Sequence, residues 1–263
     1  MLKKRLIPKF LIRYQKLGSK IKPVLITTRS FCDEFTVGDP VSQAKIYEAQ
    51  FADELIVLNI DSHPIASDEL RLNLVERIAD EVFMPLTVGG GVRTMEDFQL
   101  LLERGADKIS INTIMFEDIT LISKSAYRYG SQCVVASVDF RTDHSGEAYI
   151  VRDRAKIDTN IKLIDWVQKI VASGAGEILL TDVDRDGSGN GLNWTVCKMI
   201  ASSVTVPVII SGGCGLAEHF VDGFQKGLAE GVAAGTFFCF RDQNLLQTRS
   251  QIWNAGIPIR MET

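Results

Sequence analysis

Short apolar runs alternate along this chain with longer amphipathic stretches. The apolar runs lie at 5–11, 54–59, 85–88, 108–111, 133–138, 177–181, 206–210 and 231–234. They are rich in Val, Ile and Leu with little polar interruption, as strands buried on both faces are. Helical spacing fills the intervals at 41–52, 68–81, 119–129, 161–173, 194–201, 217–226 and 244–254. One more helix starts at Thr94, a capping residue followed by acidic Glu96 and Asp97, and Ser67 or Asp68 caps the helix at 68–81. Eight strand–helix alternations without tight hairpins between the main strands predict an α/β fold, a (β/α)₈ TIM barrel. A doubly wound open sheet is the competing architecture.

A repeat favours the barrel. Thr87-Val88-Gly89-Gly90-Gly91 comes back as Ile210-Ser211-Gly212-Gly213, and Pro85, Gly91 and Gly105 find mates in Pro207, Gly213 and Gly227. Two similar halves, about 1–125 and 126–263, close naturally into one ring, so a single barrel domain over 1–263 is expected. Residues 12–40 and 140–160 read as two long loops on the C-terminal face, where barrel enzymes build their sites, the second holding a turn at Asp143-His144-Ser145-Gly146 flanked by short strands.

Composition narrows the function classes. The chain has 263 residues, 46% hydrophobic and 24% charged, with a net charge of −4. That is globular composition with no basic stripe for a nucleic acid. No run approaches the ~18 apolar residues of a membrane span, and Lys3-Lys4-Arg5 leads into a strand rather than a secretory core. Cys32, Cys133, Cys197, Cys214 and Cys239 are odd in number and scattered, which reads as reduced core thiols of a cytoplasmic protein. His63, His144 and His219 form no metal-ligand spacing, and neither metal nor cofactor is expected.

Glycines at strand ends let backbone N–H groups approach an anion. Gly91 with Asn112 and Thr113 forms one candidate phosphate cradle. Gly187, Gly213, Gly235 and Thr236 form a second. Their alternative reading is as tight turns only. The stretch from Asp182 to Gly191 resembles the opening of a calcium loop, but Asn193 stands where the bidentate Glu belongs. It fits a flexible site loop better, with Asp186 to hold a hydroxyl or shuttle a proton. Asp139, ending the fifth strand, is a general acid/base candidate. The first strand ends on Leu11 instead of an acid. At the opposite strand ends, Arg5, Glu54, Lys108 and Glu177 either solvate the lower rim or converge on the axis as a salt-bridge ring.

Together these motifs resemble the cyclase subunit of imidazole glycerol phosphate synthase over nearly the whole chain. Val37-Gly38-Asp39-Pro40 and the stretches 86–93, 105–113, 174–187 and 210–215 carry the resemblance. It implies a bis-phosphate ligand on the upper face and a glutaminase partner on the lower face. Ammonia would pass a gate of Arg5, Glu54, Lys108 and Glu177 and rise through the barrel, with Asp107 facing the partner. The family's catalytic pair is an Asp ending strand one and another ending strand five. Asp139 matches the second, and Leu11 stands in place of the first; no Asp or Glu precedes Asp33. Loop one is basic where the family has its own motif, leaving Lys20 and Lys22 as candidates for its lysine. Asn59 replaces an acid at the end of strand two, with Asp61 nearby. Losing a proton-transfer carboxylate costs ~10²–10⁴-fold in rate. A subgroup lacking that Asp is associated with surface-polysaccharide sugars, where ammonia goes to a separate sugar amidotransferase that builds an acetamidino group. Three functions follow as expectations: such an ammonia-channelling subunit, a histidine-pathway cyclase tolerating Leu11, or a silent barrel that activates its glutaminase.

Overall fold

The ring closes because eight short strands each hydrogen-bond to two parallel neighbours. The computed structural model describes residues 3–61, 68–240 and 244–261. Its strands are β1 (Arg5–Leu17), β2 (Lys20–Arg29), β3 (Asp33–Gly38), β4 (Leu55–Asn59), β5 (Leu86–Gly89), β6 (Lys108–Ile111), β7 (Val134–Thr142), β8 (Ala148–Arg152), β9 (Ile157–Lys162), β10 (Glu177–Asp182), β11 (Val208–Ser211) and β12 (Gly231–Ala234). Parallel pairing runs β1-β4-β5-β6-β7-β10-β11-β12 and returns to β1. This is the closed (β/α)₈ barrel, with helices between the ring strands. The helix Trp194–Ala201 and strand β12 begin and end where the apolar pattern places them.

The stretch at 12–40 is not a loop. β1 runs on past Leu11 to Leu17, turns through Gly18-Ser19 and returns antiparallel as β2, which pairs with β3. Residues 140–160 behave alike: β7 continues to Thr142 and pairs antiparallel with β8, and β8 with β9. Their polar alternation reads as a loop because these strands stand above the ring with one face in solvent. The two excursions occupy the same place in the two halves, on the first ring strand of each.

Helix starts follow local chemistry. Thr94 accepts from the Asp97 N–H while the Asp97 carboxylate accepts from Thr94 N–H, a reciprocal cap. Asp39 caps Pro40–Ala49, with Pro40 where a missing N–H costs nothing. Of the two candidate caps for Asp68–Ala79, Ser67 lies outside the described residues, as does His63. Outward residues such as Leu6, Phe10, Val57 and Ile178 pack under the helices. All five cysteines are free, but only Cys197 is buried; Cys133, Cys214 and Cys239 are half-buried and Cys32 is exposed. Among the described residues no helix is long and apolar enough to cross a membrane.

Candidate functional site

Alternate residues of each ring strand point into the lumen, so it is built in tiers. The lowest tier is charged. Arg5 donates to Glu54 at 2.6 Å and to Glu177, and Lys108 donates to Glu54 at 3.0 Å and to Glu177 at 2.8 Å. Two acids alternate with two bases in a closed ring, and Thr87 adds a hydroxyl to Glu54 at 2.7 Å. Burial disfavours charge on Arg5, but Glu177 and Glu54 outweigh it and hold the guanidinium above its ordinary value. Burial likewise pushes Glu177 up, yet Arg5 and Lys108 leave it below the usual carboxylate range. Asp107 is exposed at this end and accepts from the Leu86 N–H at 2.7 Å. The next tier is apolar: Ile7, Ile56, Val135, Leu179, Ile209 and Ala233.

Above it the lumen opens into a cavity of ≈460 Å³, the size of a small-molecule site. Gly91, Asn112 and Thr113 reach its wall, with Asp139, Arg71 and Arg154. The second set, Gly187, Gly213, Gly235 and Thr236, lines an adjoining cavity of only ≈20 Å³ together with Asp186. Lys9, Leu11 and Thr28 line both, and so form the partition between them.

The strand register fixes the mate of Asp139. Asp139 pairs across to Thr181 in β10, and Leu11 pairs across to Leu58 in β4. Both are inward positions, in strands whose lower ends carry the related Glu177 and Glu54. Leu11 therefore holds in the first half the place that Asp139 holds in the second. The Asp139 carboxyl is pushed up to about 6 by its removal from water. Asn112, donating at 2.8 Å, and the Lys9 ammonium pull it down, while Asp186 pushes it further up. Asn112 thus presents its side chain to Asp139. Asp186, read from the sequence as part of a flexible loop, is buried and accepts from the Thr28 hydroxyl at 2.5 Å. Burial raises its carboxyl above the ordinary range, against the opposing pull of Lys9 and Thr28.

Asp61 does not stand in for an acid at the end of β4. It accepts from Arg13 at 3.1 Å and from the Tyr14 N–H at 3.0 Å, fixing the base of the first excursion. Lys20 and Lys22 are exposed near the turn of that hairpin and line neither cavity. Glu34 links the two excursions, accepting from Arg13 and, at 2.9 Å, from Arg154.

Sequence reasoning overlooked Lys9, Arg71 and the pair Thr27-Thr28. Lys9 had a signal: a lone charge in an apolar strand, in step with Arg5, Ile7 and Leu11. The threonines had none, because they reach the site only once residues 20–29 are a strand. Arg71 reaches from the helix Asp68–Ala79 to the Gly90 carbonyl at 2.9 Å.

Comparison with known proteins agrees with this architecture. A family model described as "Histidine biosynthesis protein" matches residues 20–244. A Prochlorococcus marinus (strain MIT 9313) protein, named as imidazole glycerol phosphate synthase subunit hisF2, is 47% identical over 266 residues, covering 100% of both chains. The imidazole glycerol phosphate synthase subunit HisF of Gluconacetobacter diazotrophicus is 40% identical over 260 residues, covering 99% of this chain and 97% of its own. A closed barrel, a doubled glycine motif and full-length identity at this level converge: the chain belongs to the histidine-biosynthesis barrel family, among its HisF-type members.

Proposed function

We propose that this chain is a HisF-like barrel subunit that receives ammonia from a glutaminase at its lower rim and passes it up the lumen to a phosphorylated ligand. The observation that carries the reading is the stacking of tiers. A closed charged ring lies beneath an apolar layer, which lies beneath a polar chamber. Neutral ammonia crosses an apolar layer at little cost, whereas an ammonium ion must shed its hydration. Arg5, Glu54, Lys108 and Glu177 act as the gate, and opening it requires breaking at least one of the four contacts. The lower rim also exposes apolar side chains in the segments leading into β5 and β12, Phe83 at 93% and Leu228 at 45%. Such surface suits a partner protein.

In the upper chamber Gly91, Asn112 and Thr113 hold one phosphate, and Gly187, Gly213, Gly235 and Thr236 hold the other. Asp139 and Asp186 are the acids that remain for the chemistry. Leu11 opposite Asp139 removes one of the two carboxylates that cyclase chemistry needs. The subunit is therefore specialised toward amidation in surface-sugar biosynthesis, supplying a separate sugar amidotransferase that builds an acetamidino group.

The competing reading is cyclase activity in histidine biosynthesis, which the full-length similarity to the Gluconacetobacter protein favours. The purified chain, given ammonium salt and the family's bis-phosphate substrate, separates the two. Robust formation of the imidazole product sinks the specialised reading. Its absence, with activity gained in Leu11→Asp, supports it. Conduction is tested separately: Lys108→Ala leaving glutamine-coupled amidation intact argues against a gated path.

A further inference from the structure

The upper chamber holds a cation that none of the assignments above uses. Lys9 is only 6% exposed, yet among the described residues its ammonium has no hydrogen bond and no ion pair. The two carboxylates within its electrostatic reach are engaged elsewhere: Asp139 accepts from Asn112 at 2.8 Å and Asp186 from Thr28 at 2.5 Å. Lys9 lines both cavities and so can meet a ligand in either. Beside it in the smaller cavity, Thr27 is 2% exposed and its hydroxyl has no hydrogen-bond partner among the described residues. Burying an unpaired hydroxyl costs about 1–3 kcal/mol, so the Thr27 group persists where something else satisfies it, and the Lys9 ammonium faces the cavities with no acceptor of its own among the described residues.

The partition between the cradles therefore carries surplus donors, and what is missing is an acceptor. Both donors line the smaller cavity, and Lys9 lines the larger one as well. We propose that Lys9 is a ligand-binding cation that takes the carboxylate of a phosphorylated organic acid, with the Thr27 hydroxyl as second donor. The inference rests on the reading of the glycine cradles as phosphate sites, and it makes Lys9 a determinant of which phosphorylated ligand enters.

Calorimetric titration of the whole chain tests it with three probes: 3-phosphoglycerate, which has a phosphate and a carboxylate; glycerol 3-phosphate, which lacks the carboxylate; and malonate, which lacks the phosphate. One charge-assisted contact predicts that 3-phosphoglycerate binds at least about tenfold tighter than glycerol 3-phosphate. In Lys9→Met that ratio falls to near one, and in Lys9→Arg, which keeps the charge, a preference returns. Equal binding of the two esters by the unaltered protein overturns the proposal, whatever the variants do. So does a preference that survives in a folded Lys9→Met. Malonate bound through Lys9, with neither ester bound, overturns the phosphate cradles and keeps Lys9. If none of the three binds, both fall.

Discussion

Asp139→Asn isolates the cost of keeping one carboxylate in the chamber. Its folded-state value is about 6 against an ordinary 3.8, so the gap is about two units. At about 1.4 kcal/mol per unit, the ionised side chain costs the fold about 3 kcal/mol. Because the value is raised, the folded state holds the proton more tightly than the unfolded one. The penalty is absent below pH 4, grows to about 1.5 kcal/mol at pH 5 and is complete above pH 6. Asn keeps the shape and an acceptor for Asn112 but carries no charge. The variant should be more stable than the parent by about 3 kcal/mol at pH 8, with the gain shrinking as pH falls through the window from 6 to 4. Urea denaturation followed by circular dichroism at half-unit pH steps measures this, read as a midpoint shift at constant slope. Coincident midpoints at pH 8 would mean that burial does not hold the Asp139 carboxyl above its ordinary value. A variant less stable than the parent there would mean that Lys9 depends on Asp139 far more than the geometry implies.

The lower ring should respond in the opposite sense. Glu177 is held below 4.5, so it stabilises the fold at neutral pH and loses that contribution as pH drops through its lowered value; Glu177→Gln should flatten the acid limb of the stability profile. Glu54→Gln removes the charge that Arg5 and Lys108 share and turns one of the two accepting oxygens into a donor, and should cost about 3 kcal/mol in denaturant titration, the low end for a broken buried pair because both cations are one-fifth exposed. Gly90→Ala should abolish soluble folded protein: φ is +92° and a Cβ would stand 1.9 Å from the Asn59 carbonyl oxygen. Gly146→Ala, at φ +88° with nothing within 4 Å, should cost only about 1 kcal/mol and serves as its control in thermal melts.

The ring was legible because parallel strands covered on both faces are continuously apolar, and because Gly90 and Gly212 answer the same backbone demand. Gly90 presses on the carbonyl of Asn59, ending β4, and Gly212 presses on that of Asp182, ending β10. A side chain at either would collide, so the repeat survives in sequence. The first excursion was illegible for the converse reason, and the second was legible only as a turn at 143–146 between short strands. Their strands are half solvated, and Lys20–Arg29 reads polar and apolar by turns like a loop. With them went Thr27 and Thr28, which arrive beside Gly187 and Asp186 only through tertiary pairing. The charged ring was legible as a choice between solvated rim and closed circuit. Sequence alone does not decide it, because the closing contacts come from four different strands.

Symmetry also says where the chamber changed. Lys9 pairs with Ile56 as Ser137 pairs with Leu179, so β1 carries Lys9 and Leu11 at the positions where β7 carries Ser137 and Asp139. A charge stands one inward step lower on β1 than on β7, and its sign is opposite. Two ionised acids facing each other each raise the other's proton affinity, and they can divide acid and base roles between them. An ammonium facing an acid does the reverse: it lowers the value of Asp139, here only partly, since burial still wins and leaves it near 6. Restoring an acid at Leu11 therefore does not recreate a symmetric dyad while Lys9 remains. It places a third carboxylate within reach of one cation, and an ion pair between positions 9 and 11 would compete with ligand. If Leu11→Asp alone fails to bring cyclisation, Lys9→Ser with Leu11→Asp is the informative variant. It rebuilds on β1 the inward pair that β7 already has, and activity in the double variant alone would show that the lysine, as much as the lost acid, sets the chemistry of this chamber.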